Sequence, residues 1–146
     1  MKLRTASTIV TAFVVLCLPG TVHADKLGKL FVKAATIEVN GQQFPSTELE
    51  DSVNDIKKRL GDFTLAKDEA EADFLLVVIK RGVEERDDNR SAKVAYATLS
   101  VRDGDGWRPG TQLRNAGFFS EGSWGNAARG IIGAAEKWVK ESRKKK

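Results

Sequence analysis

One cysteine and one histidine stand in 146 residues, and both, Cys17 and His23, fall within the first 24. From residue 25 onward the chain has neither. Ser-His-Asp and Cys-His catalysis are therefore excluded there, as are zinc sites of the usual Cys/His kind. A disulfide within that part is also excluded, even in an oxidising compartment. No internal repeat and no low-complexity linker interrupts the chain. Outside the first 18 residues no apolar run comes near the roughly 20 residues that a membrane-spanning helix needs.

What is present begins with a three-part leader. Lys2 and Arg4 open it, an uncharged and mostly apolar run from Ala6 to Leu18 follows, and Pro19-Gly20 ends the run. Thr21-Val22-His23-Ala24 then places compact residues at the two positions that a signal peptidase reads. The pattern is that of an export signal, with the cut expected between Ala24 and Asp25. The run is too short for a spanning anchor, and the bulky Leu16 before Cys17 argues against lipid attachment. The expected organisation is a signal peptide over 1–24, one domain over 25–142, and a basic tail over 143–146. The expected location is the periplasm or the outside of the cell. The 122 residues after the cut suffice for one hydrophobic core and not for two comfortable domains.

After residue 24 the chain holds 22 basic and 20 acidic residues, a net of about +2. Without Arg143, Lys144, Lys145 and Lys146 the balance is 18 to 20. The excess of positive charge thus belongs to a tail rather than to a basic face, and nucleic acid is not an expected partner. The tail is expected either to fray as a solubilising end or to make weak contact with an anionic surface.

Coarse patterning gives strand, helix, strand, strand, short strand, helix. Leu30 to Val39 is rich in β-branched and aromatic residues and stops at the Asn40-Gly41 turn signal; Gln42 to Phe44 fits a brief edge strand folding back. Leu49, Val53, Ile56 and Leu60 share one helical face, in a helix starting near Thr47, where Thr47 and Glu50 have capping-box spacing. Gly61 is a stop signal. Phe63 to Leu65 fits the start of an extended segment, and Asp68 to Asp73 one helical turn. Six apolar residues, Phe74 to Ile79, read as a strand buried on both faces. Gly82 to Ser91 reads as a charged loop joining it to an alternating strand, Lys93 to Arg102, in an antiparallel hairpin. Another short strand is expected between Gln112 and Ser120. The last helix is expected from Asn126 to Ser142, with Gly130 and Gly133 allowing close approach to the sheet. The expected fold is α+β or α/β: two layers, a mixed four- to five-stranded sheet, and both helices on one face, because a strand–helix–strand unit closes as a right-handed crossover.

Few motifs carry chemistry. Asp103-Gly104-Asp105-Gly106 has the look of a calcium loop, but the twelfth position, where a bidentate Glu is needed, is Arg114; a hairpin turn is the better reading. Asn89-Arg90-Ser91 matches a glycosylation acceptor, with Asp87 suiting the extended bacterial form, but so short a pattern arises often by chance. Trp107, Arg108, Arg114, Phe118, Phe119 and Trp124 fall in a glycine-rich stretch and are residue types enriched in binding hot spots. They are the candidate binding residues; the plainer reading packs Phe118 and Trp124 under the last helix and leaves the arginines solvated. No catalytic residue, metal ligand or cofactor is expected.

Ala72-Asp73 followed by the strand Phe74-Leu75-Leu76-Val77-Val78, after a helix ending Arg59-Leu60-Gly61, resembles a pattern in small exported bacterial domains. Downstream stand a turn with Trp107, a Gly122-Ser123-Trp124 segment and an amphipathic terminal helix. The order is similar to that of the periplasmic domain of the curli secretion channel and the amino-terminal domain of the Tol translocation protein. The channel and propeller parts of those proteins have no counterpart here. The resemblance implies a two-layer α/β fold and a role in protein contacts, with an envelope protein or another copy of itself as partner. The leading expectation is a non-catalytic binding or accessory domain of the cell envelope. The alternatives are a small hydrolase or lyase using carboxylates or lysine, and a polyanion or membrane-surface binder working through the tail.

Overall fold

Leu30, Val32 and Ala34 alternate with Lys29, Phe31 and Lys33, and this period of two sets the first strand, β1 (Gly28–Ala34), with its aliphatic set buried. The computed structural model describes residues 26–85, 87, 90–117 and 123–146. The leader with Cys17, His23 and the Ala24–Asp25 junction lies outside these residues, as do Asn89, Phe118 and Phe119.

The expected strand over Leu30 to Val39 is broken at Ala35, whose N–H makes its bond to the Val78 carbonyl (2.8 Å). Residues beyond it leave the sheet. β2 (Thr36–Val39) pairs only with β3 (Gln42–Pro45) through the Asn40-Gly41 turn, where both residues have positive φ, as a two-residue hairpin of this sequence demands. Ile37 and Val39 stay exposed on this ribbon. Alternation alone cannot separate a strand inside a sheet from one in a projecting hairpin.

Helix α1 (Thr47–Lys57) buries Leu49, Val53 and Ile56 against the sheet. Its N-cap is Ser46, whose carbonyl accepts the N–H groups of Leu49 and Glu50; no side chain caps the helix, so the Thr47/Glu50 box is not used. Three residues then form β4 (Phe63–Leu65), parallel to β1 on its outer side. The central strand is β5 (Phe74–Glu85), parallel to β1 on the other side. β6 (Ser91–Asp103) and β7 (Gly106–Gly117) follow antiparallel, giving a five-stranded mixed sheet in the order β4-β1-β5-β6-β7. α2 (Ser123–Lys144) lies across β6 and β7 and beside α1.

The residues of β1, β5 and β6 that lie opposite one another, Val32, Leu76 and Leu99, all belong to the core with Ile56 and Ile131, so both helices cover the same face. The fold is a two-layer α+β domain with a mixed sheet. Several details differ from expectation. Of the charged segment 82–91, residues 82–85 belong to β5 and Ser91 to β6, so the two strands continue as an arm whose exposed faces tolerate polar side chains, with 86, 88 and 89 outside the described residues. The apolar run of β5 buries Phe74, Leu75, Leu76 and Val78, but a bulge after Val78 leaves Ile79 43% exposed. The short strand foreseen between Gln112 and Ser120 overlaps the 12-residue β7 over 112–117, with 118–120 outside the described residues, and α2 starts earlier and ends later than its periodicity indicates. Of the two helix glycines, Gly130 does permit close approach, since a β-carbon there would run into the Asn115 side chain; Gly133 faces open space.

Candidate functional site

Going from β1 to β4 moves the chain outward across the sheet, with α1 on the covered face. Going from β4 to β5 moves it back past β1, so a crossover of the same hand must run over the opposite face. Residues 66–73 form this connection. They are bends and turns rather than the expected helical turn, and side chains of the open sheet face hold them down. Lys33 binds Glu69 at 2.8 Å and Lys29 binds Glu71 at 3.0 Å. The Asp73 carboxylate accepts the Lys29 N–H at 2.8 Å. The Ala66 N–H donates to the Leu30 carbonyl and the Asp73 N–H to the Lys29 carbonyl.

Arg102, near the end of β6, clamps the crossover from the other side. Its guanidinium donates to the carbonyls of Ala72 (3.0 Å), Ala70 (3.3 Å) and Glu69. The same group stacks on the Trp107 ring, 4.0 Å from its centroid, and the indole N–H donates to the Glu69 carboxylate at 3.0 Å. Trp107 stands opposite Arg102 in the register just before the Asp103–Gly106 turn, which forms as expected, with Gly104 at φ 58°. Between crossover and turn lies a cleft of about 530 Å³, lined by residues 69–73 with Arg102, Gly104, Asp105 and Trp107.

The electrostatics of the cleft are those of held anions. The Lys33 hydrogen bond, aided by the Trp107 N–H, keeps the Glu69 carboxyl below the usual glutamate range. The Lys67 backbone N–H, then Lys29, do the same for Glu71. A general acid needs its pKa raised toward neutrality, and these two groups move the other way. Among the described residues no group of three or more His, Cys, Asp or Glu is arranged to hold a metal ion. The shifts predict a pH dependence. Carboxyls depressed in the folded state contribute stability in full above their unfolded value of about 4.3, and lose it as pH falls through the lower folded value. Urea midpoints are expected to stay level from neutrality to about pH 5 and to drop below that, with a smaller drop in Glu69→Gln.

The six candidate binding residues do not form one patch. Trp107 and Arg108 are neighbours on β7 whose side chains point to opposite faces. Arg114 lies on the Trp107 face but roughly 20 Å further along the strand, where it binds the Tyr96 hydroxyl and the Glu84 carboxylate. Tyr96 donates to the same Glu84, and these bonds, that of Tyr96 first, lower the Glu84 pKa. Trp124, in the first turn of α2, is on the helix side at the far end. The Arg81 guanidinium covers its ring at 3.8 Å while also donating to the Glu48 carbonyl, so this tryptophan fastens α2 to the β5–β6 arm and α1. Residues 118 and 119 lie outside the described residues. Of the four described candidates, Trp107 is the one that lines the cleft.

Arg102, Glu69 and Glu71, which line the cleft, and Lys29 and Lys33, which hold the crossover beside it, belong to no sequence motif. The available signal was Lys29 and Lys33 on one face of β1, opposite in charge to the acidic segment 68–73.

No family model matches the chain, and no curated protein matches it. A solved structure of a hypothetical protein from Chlamydia trachomatis is similar to it at a TM-score of 0.39 and 12% identity, covering 81% of this chain and 94% of that one.

Proposed function

We propose that this chain is an exported, non-catalytic binding domain that works in the cell envelope and contacts another macromolecule at the Trp107 cleft. The observation that supports this most is the fixing of Trp107 beside an open cleft. One face of its ring is already covered by Arg102 and its N–H is already satisfied by Glu69. A partly buried aromatic side chain so restrained loses little further freedom when a partner covers it, and such rigid anchors dominate binding energetics. The export pattern before Asp25 and the lack of His and Cys after it agree with a binding role outside the cytoplasm. Chemical crosslinking of intact cells carrying a tagged chain, followed by denaturing purification, is expected to yield a discrete heavier species. A chain recovered only as monomer under several growth conditions would sink the reading.

A further inference from the structure

The basic residues at the end of the chain belong to a larger surface than a tail. α2 runs through Lys144, so Arg143 and Lys144 are helical rather than frayed. The Arg143 guanidinium donates to the Leu27 carbonyl at 2.5 Å, pinning the helix end to the start of the fold. Lys140 binds Asp62 at 2.7 Å, and Lys26 is close enough to help hold the Asp62 carboxyl below its ordinary range after Lys140 has done most of it. Lys137, Lys140 and Lys144 follow at helix spacings of three and four and share one face. Lys26, Lys137, Lys144, Lys145 and Lys146 are exposed and, among the described residues, make no ion pair.

Among the described residues the carboxylates at this corner are few and mostly engaged. Asp62 is neutralised by Lys140, Glu136 accepts the Asp62 N–H at 2.6 Å, and Glu141 is the third. The acidic crossover at the same end lies on the other face of the sheet. The sheet itself stands between it and α2, and Lys33 and Lys29 already pair with two of its acids, Glu69 and Glu71.

We propose that this corner is a docking surface for an anionic lipid bilayer. The chain just before Lys26 favours lipid over other polyanions. The apolar run ending at Leu18 is separated from Lys26 by the seven residues 19–25, which span at most about 25 Å. Until the cut expected between Ala24 and Asp25 is made, that run in a membrane holds the cation-rich corner within that distance of the headgroups, so the newly exported corner meets lipid first. This proposal stands apart from the Trp107 cleft, which lies across the sheet.

Co-sedimentation with phosphatidylcholine vesicles, with and without phosphatidylglycerol, tests it. The chain starting at Asp25 serves, because every described core residue lies at or beyond Leu27. Binding is expected only to the anionic vesicles, at about 0.1 M salt and not at about 1 M. Each basic residue near such a surface is worth roughly fivefold in affinity. Replacing Lys137, Lys144, Lys145 and Lys146 together by alanine should therefore weaken binding on the order of several hundred-fold, with the thermal midpoint unchanged, whereas Trp107→Ala should bind as the parent does. Absence of binding to the anionic vesicles, equal binding to the neutral ones, retention by the fourfold variant, or capture by heparin without capture by vesicles would each overturn the proposal.

Discussion

Leu76→Ala is expected to cost about 3–5 kcal/mol of folding stability, and Ile79→Ser, three residues along the same apolar run, within about 0.5 kcal/mol. Leu76 stands opposite Val32 on one side and Leu99 on the other, and all three are essentially inaccessible beneath the helices. Truncating it removes transfer energy and leaves a cavity between three strands and the helix layer that well-packed neighbours cannot close. Ile79 sits in the bulge where β5 begins to leave the helix-covered region and already faces solvent. Since a domain of this size has a total stability of about 5–15 kcal/mol, the first change should bring the protein close to unfolding. Equilibrium urea unfolding with a common slope for parent and variants measures both. Equal losses at the two positions would mean that the run is buried along its whole length.

Arg102→Ala is expected to cost about 2–4 kcal/mol, summing several charge-assisted bonds to carbonyls, one of them on the buried Ala72. The loss should be local before it is global. Amide hydrogen exchange over residues 67–73 should accelerate more than exchange in β5 or β6, because the crossover has no strand or helix bonds of its own. Arg102→Lys should recover less than half of the loss. A lysine ammonium is a point charge and cannot serve three carbonyls while stacking flat on Trp107. Full protection of 67–73 in Arg102→Ala would show that Lys29 and Lys33 hold the crossover unaided.

The regular parts of this fold are legible from residue periodicity. Leu49, Val53 and Ile56 recur at helical spacing and are buried together; Ala95, Ala97 and Leu99 alternate along β6 and enter the core. The crossover is not legible, because β4 is three residues long and residues 66–73 are fixed by single charged side chains 30 to 42 positions away in sequence. Isolated Lys–Glu and Arg–carbonyl pairs leave no repeating signal. The candidate site was legible in residue type and misleading in position. Trp107, Arg114 and Trp124 are close in sequence, but an extended strand advances about 3.3 Å per residue and alternates its faces. Strand β7 therefore carries Trp107 and Arg114 apart, and Trp124, in α2, lies on the other layer.

Trp107 and its cleft are the face proposed to meet a partner, and site-specific photocrosslinking in living cells tests this most directly. A photoreactive residue in place of Asp105, on the cleft, is compared with one in place of Asn54, on the exposed side of α1. The predicted result is a discrete adduct from position 105, none from position 54, and loss of the first when Trp107→Ala is added. Equal yields from both positions, or no adduct from 105, would contradict it.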